Sequence, residues 1–196
     1  EMLINRVSSI AKERESNQLS LFGDIISNDT SFTVDYPNLK ELIENMFETM
    51  KRAEGVGLAA PQIGLPIRMF VVDLDVISDD LPQYKGYLHA FINPQILEVS
   101  EETNISEEGC LSVPGIHENV RRPSRIHATY LDENLTPHDE WIDEFAARVF
   151  QHEYDHLEGK LFIDHLSPLR KQLIKKKLIA MQKGQINCDY KIKQNR

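Results

Sequence analysis

The sequence predicts an α+β fold, and three observations carry that prediction. Short runs rich in β-branched and aromatic residues cluster in the middle of the chain, at 67–73, 90–92, 95–99, 125–131 and 140–143. A one-faced amphipathic helix precedes them, and two helical segments follow. Strands and helices do not alternate regularly, as they would in a parallel sheet built from βαβ units.

Length and composition set the frame. The chain has 196 residues, 41% hydrophobic and 27% charged, which suits a single globular domain over 1–196 rather than a disordered segment. No apolar run approaches the ~20 residues that span a bilayer, so no membrane partner is expected. Residues 1–6 carry no charged-then-apolar signal segment. With only Cys110 and Cys188 there is no disulfide framework; a reducing, cytoplasmic location is the expectation. The net charge is −9, but from residue 167 onward nine Lys and Arg face the single acid Asp189. An acidic body with a basic end leaves room for one local anionic partner.

Taken in order, residues 1–34 show no sustained period, and Gly23, Asn28 and Asp29 suggest turns. Leu39, Leu42, Ile43, Met46, Phe47 and Met50 then follow the i, i+3, i+4, i+7, i+8, i+11 pattern of a helix with one apolar face. Asp35 and Pro37 suit its start, and it should end near Ala53, before Gly55 and Gly57. The run 67–73 reads as a buried strand and 90–92 as a second, stopped by Asn93-Pro94; 78–82 is a loop. Residues 95–99, 125–131 and 140–143 are further strands, with a turn at 132–134. A helix from about Phe145 to Leu157 stops at Gly159. Ser167 and Pro168 fit the cap and first turn of a last, basic helix over 167–184, with Leu169, Leu173, Leu178 and Met181 expected inward.

The strongest chemical signal is Gln151-His152-Glu153-Tyr154-Asp155-His156, a His-Glu-x-x-His motif. Positions four apart share a helix face, so both imidazoles can reach one metal ion, and Glu153 can stand beside an attacking water. The bland alternative is a charged helix face, which the flanking Val149, Phe150 and Leu157 argue against. A catalytic site needs a third ligand. The longer His-Glu-x-x-His-x-x-Gly-x-x-His pattern fails at Phe162, which weakens a metallopeptidase reading. Cys110 is a candidate, although taken alone it reads first as a small buried hydrophobe.

Three segments together resemble the peptide deformylases. They are Gly55-Val56-Gly57-Leu58-Ala59-Ala60-Pro61-Gln62, Glu108-Gly109-Cys110-Leu111-Ser112-Val113-Pro114, and Gln151-His152-Glu153-Tyr154-Asp155-His156-Leu157. They match that family's G-x-G-L-A-A-x-Q, E-G-C-L-S and Q-H-E-x-D-H-L motifs in order, and the likeness to the bacterial class with a helical C-terminus runs over roughly residues 37–183. The resemblance implies small mixed or antiparallel sheets packed around a central helix bearing the His-Glu-x-x-His motif, plus a C-terminal helix. It implies removal of the N-formyl group from the N-terminal methionine of new polypeptides, releasing formate. By the same resemblance Cys110, His152 and His156 are the ligands of one divalent metal, Fe²⁺ first, with Zn²⁺, Ni²⁺ or Co²⁺ able to replace it. Glu153 matches the general base, and Gln62 and the Leu111 N–H match the donors to the formyl oxygen. Val56, Gly57 and Gly109 would pair with the substrate backbone, and Val56, Phe145, Val149 and His152 would surround the methionine side chain. Glu108 and Arg122 match an ion pair that braces the Cys110 loop, for which the bland alternative is two solvated charges. Gln151 is either a support for the site or an ordinary polar helix residue.

The departures are specific. Only Gly23-Asp24, with Ile25 where a Pro is usual, matches the family's N-terminal stretch, so 1–34 is atypical. His117 stands where Arg is frequent, and Glu144 where Gly is common before the catalytic helix. The family counterpart of the basic C-terminal helix docks on the ribosome; here Arg170, Lys171, Lys175, Lys176 and Lys177 would suit phosphate contacts, the alternative being a solvated helix that covers the core.

Overall fold

The computed structural model describes residues 4–5, 35–185, 188–190 and 192–193. The readings made for 1–34, including the Gly23-Asp24 match, otherwise lie outside the described residues. Helix α1 (Leu39–Arg52) buries Leu42, Ile43, Met46 and Met50, the predicted stripe. It begins later than Asp35 and Pro37 suggested, because Asn38 adopts a left-handed conformation (φ 56°) at the cap and Asn tolerates that region.

Five strands form the main antiparallel sheet in the order β2-β3-β4-β7-β8: Gly57–Ala59, Met69–Asp73, Leu88–Val99, Arg125–Leu131 and Pro137–Asp143. Every residue of β3 is buried, which explains its unbroken apolar run. Alternate side chains serve opposite faces. Phe70 and Val72 join Phe91, Tyr130 and Phe150 under helix α2 (Glu144–Leu157). Met69 and Val71 join Ala90, Ile92, Met46 and Met50 under α1. The sheet is therefore covered on both sides, and α2 is a central helix.

The two strands predicted at 90–92 and 95–99 are one strand, β4. Asn93-Pro94 does not end it: Asn93 sits at φ 51° and the register against β7 shifts between Ile92 and Gln95, so the pair forms a bulge. The strands of a second sheet carry no mark in the apolar patterns of the sequence. Strands β5 (Thr103–Cys110) and β6 (Val113–Pro123) make a hairpin whose turn is Leu111-Ser112. Its exposed flank, Thr103 to Glu107, is polar apart from Ile105, and a run so polar gives no apolar period by which to read a strand. Val113, Ile116 and Val120 pack with Leu161, Phe162 and Ile163 and with helix α3 (Pro168–Gln182). Ser167 caps α3 as expected, accepting from the Arg170 N–H. Its inward face needs correction: Ile174 and Met181 are buried, whereas Leu169 and Leu173 are 67% and 62% exposed. The helix lies on a two-stranded hairpin and offers it a narrower stripe than four leucine-type positions would fill. A short parallel pair, β1 (Ile4–Asn5) with β9 (Ile192–Lys193), completes the described elements.

Candidate active site

Helix α2 buries nearly every residue from Ala146 to Leu157, including His152, Glu153, Asp155 and His156. Its entry is strained: Glu144 sits at φ 55°, a left-handed conformation that suits Gly, which is why a Gly is common there. Four-residue spacing puts His152 and His156 on one face, and the tight turn of the β5–β6 hairpin brings Cys110 against them. One donor atom from each of Cys110, His152 and His156 lies within 4.8 Å of the others, and Cys110 Sγ stands 3.3 Å from His156 Nε2. One thiolate and two imidazoles form a donor set suited to a first-row divalent ion, with one position left for water.

The electrostatics agree. Burial pushes the Cys110 thiol up, but His156 and His152 more than reverse this and bring it to about 5. Burial disfavours the charged form of His152, yet Cys110 and Glu108 hold it well above the ordinary imidazole range. The cluster thus favours a cation among its donors. Beside it, burial pushes Glu153 up to about 7. Glu153 Oε2 is buried with no hydrogen-bond partner among the described residues. Buried acceptors are rarely left without a partner, so this oxygen marks a candidate functional atom.

The remaining predicted residues converge on the same place. Gln62 Oε1 accepts from the Ala59 N–H (2.7 Å), which fixes the amide so that Nε2 donates to Ser112 Oγ (3.1 Å) and reaches towards Cys110 Sγ (3.7 Å). Gly57 lies against Glu153: a Cβ there would come within 2.8 Å of Glu153 Cδ. Val56, Gly57, Gly109, Leu111, Phe145 and Val149 all line one cavity of about 560 Å³ together with Cys110, His152 and Glu153. His117, at the site where Arg is frequent, packs over Gly109.

Glu108 and Arg122 are not solvated charges. Arg122 donates to Glu108 through Nε (2.7 Å) and a terminal nitrogen (2.9 Å), both side chains being almost fully buried. Glu108 also accepts from Arg148 (2.5 Å) and bonds His152 Nδ1 (2.9 Å), which leaves Nε2 as the His152 nitrogen available to a metal. Arg122 reaches on to Asp155 (2.9 Å), which also bonds His165 (2.8 Å). Burial works against charge on Glu108, but His152 and Arg122 hold its carboxyl at about 2. Gln151, left open between two readings, donates to the Ala147 and Pro123 carbonyls, so it ties α2 to the end of β6.

Against known proteins, the sequence profile described as "Polypeptide deformylase" matches residues 22–172. The chain belongs to the peptide deformylase family. The peptide deformylase of Christiangramia forsetii is 51% identical over 166 residues, which is 81% of this chain and 85% of that one. That of Flavobacterium johnsoniae is 48% identical over 171 residues, covering 84% and 87%. Among solved structures, a plant peptide deformylase superposes with a TM-score of 0.70 at 30% identity, covering 93% of this chain and 90% of its own. A Synechococcus elongatus peptide deformylase in complex with actinonin gives 0.69 at 30% identity, covering 90% and 87%. Peptide deformylases are metal-dependent hydrolases that remove the N-formyl group from the N-terminal methionine of new polypeptides, and the chain is one of them. No helix among the described residues is long and apolar enough to cross a membrane.

Several site residues escaped the sequence reading. Arg148 and Asp155 sit one turn before and one turn after Gln151 on α2, facing Glu108 and Arg122, and a buried Arg on a mixed-polarity helix carries no periodic signal. Ser112 looked like part of a motif without a task. Tyr190 lies in a polar tail, and its hydroxyl meets Leu111, which is far away in sequence.

Proposed function

We propose that Cys110, His152 and His156 hold one divalent ion per chain, Fe²⁺ in the cell, and that Glu153 is the acid–base group of deformylation. The observation that supports this most is a buried Glu153 carboxylate with an unmet acceptor, side by side with three convergent donors in one cavity. When bound, the ion supplies a Lewis acid and brings the pKa of a water towards neutrality. Glu153 takes the proton of the water that adds to the formyl carbon. Gln62 Nε2, oriented by the bond that Gln62 Oε1 accepts from the Ala59 N–H, and the Leu111 N–H donate to the oxygen on which negative charge develops. As the C–N bond breaks, Glu153 returns its proton to the departing amine, giving formate and a free N-terminus. The substrate backbone lies along Val56, Gly57 and Gly109 as an added strand, and the first methionine side chain packs against Val56, Phe145 and Val149.

Formylated nascent chains as substrate suggest a place at the ribosome in the bacterial cytoplasm, with α3 as the contact. Arg170 is engaged with Glu118 and Lys171 with the Asp164 carbonyl. Lys175, Lys176 and Lys177 are exposed and remain for phosphates. Metal analysis of protein loaded without oxygen tests the centre: one ion per chain in the native protein and in Glu153→Ala, and none in Cys110→Ala. Retention of the ion by Cys110→Ala refutes the ligand set. Ribosome co-sedimentation that is lost when Lys175, Lys176 and Lys177 become Glu tests the contact.

A further inference from the structure

The family match ends at residue 172, yet the chain beyond α3 comes back to the site. Cys188, Asp189 and Tyr190 line the same cavity as Cys110 and Glu153. Tyr190 and Leu111 both pack against the core under α1, and the Tyr190 hydroxyl donates to the Leu111 carbonyl at 2.8 Å. The turn that returns the chain is closed by Cys188 Sγ, which donates to the Tyr190 carbonyl at 3.2 Å. Burial raises the Tyr190 phenol, so it stays a donor at every working pH.

What Tyr190 holds is one particular peptide unit. The Leu111 carbonyl and the Ser112 N–H belong to the same planar group, in which C=O and N–H point in opposite directions. At its other end, the Ser112 N–H donates to Cys110 Sγ at 3.4 Å. A donor on the carbonyl keeps the N–H aimed at the sulfur and polarises it, so the two bonds strengthen one another. The same turn carries the Ser112 hydroxyl that meets Gln62.

We infer that Tyr190 is a positioning residue of the active site: through the Leu111–Ser112 peptide it directs an N–H onto the Cys110 thiolate and so sets how strongly that sulfur donates to the metal. The inference rests on the ligand set proposed above. An N–H bond to a thiolate draws charge from sulfur and lowers its donation. Without it the sulfur donates more, and the ion polarises the formyl group less.

The test is Tyr190→Phe, which keeps the ring and removes only the hydroxyl. In Co²⁺-loaded protein the sulfur-to-metal charge-transfer band should move to lower energy. In the same variant kcat should fall by about three- to tenfold with KM changed less than twofold, the size of one modest hydrogen bond. Tyr190→Leu, which also loses the ring, should show the same band shift with an added rise in KM. An unmoved band or an unmoved kcat in Tyr190→Phe overturns the inference; so does a band that moves in Tyr190→Leu alone, since ring packing would then be the cause. The spectrum needs no turnover. A native protein that lacks the band, or that releases no formate, counts against the reading of the site and not against Tyr190.

Discussion

Gly57 makes the most exacting prediction. A Cβ at this position would lie 2.8 Å from Glu153 Cδ and 2.9 Å from Cγ, and closer still to Oε1, whereas ordinary contact begins near 3.4 Å. Gly57→Ala therefore forces the Glu153 carboxylate back by more than half an ångström, and its nearer oxygen by about 1 Å. The displaced group is the end of a flexible side chain, so the fold gives way cheaply, and the melting temperature should change little. A reacting group misplaced by about 1 Å costs on the order of 10²-fold in rate, equivalent to about 2.7 kcal/mol of barrier. Formate release from an N-formyl-methionyl peptide, with metal content measured in parallel, should show kcat down about 100-fold at one ion per chain. The route through Glu153 is checked by combining the two changes. In a Glu153→Ala background, where the carboxylate is gone, Gly57→Ala should add almost nothing. An unaffected kcat, or a loss of the same size in both backgrounds, refutes the argument.

Other consequences follow from the network around the centre. Glu108→Ala leaves Arg122 and Arg148 buried without their main carboxylate and frees the His152 ring. It should destabilise the protein by about 3–5 kcal/mol in denaturant unfolding and weaken metal binding about 10- to 100-fold by competition with a chelator. Glu108 and Asp155 are both held below the ordinary carboxylate range, by His152 and Arg122 and by His165 and Arg122, against the opposing effect of burial. Carboxyls depressed in the folded state stabilise it above their unfolded pKa and lose that contribution as pH falls. Metal-free protein should therefore melt at steadily lower temperature from about pH 4.5 down towards pH 2, and a flat profile across that window would contradict the ion-pair account. Glu144→Gly relieves a left-handed φ of 55° at the start of α2. It should raise unfolding free energy by about 0.5–1 kcal/mol in equilibrium denaturation, whereas a loss would mean that the Glu side chain itself is needed there.

Much of the site was legible because its chemistry sits in contiguous motifs. His152, Glu153 and His156 are bound together by helix geometry, while the Cys110 and Gln62 segments are picked out by the family resemblance. Amphipathic α1 and the buried run of β3 were equally plain, since their burial is periodic or complete. The β5–β6 hairpin was not: its outer residues are mostly polar, and its buried Val113, Ile116 and Val120 lie in and after a motif that reads as loop. The Asn93-Pro94 bulge looked like a stop because a Pro within a strand is exceptional unless the ladder is already broken. Leu169 and Leu173 misled because α3 covers only a narrow hairpin, a fact of tertiary arrangement. Arg148, Asp155 and Tyr190 take part through contacts across the fold, which no local pattern encodes.

The central claim is that Glu153 performs acid–base chemistry beside a Cys110–His152–His156 metal centre. Its most direct test is formate release from an N-formyl-methionyl peptide by protein purified without oxygen and loaded with Fe²⁺, set beside Glu153→Ala carrying the same ion. The account predicts turnover by the native protein and its loss in Glu153→Ala at one ion per chain. Deformylation at the native rate by Glu153→Ala would contradict it.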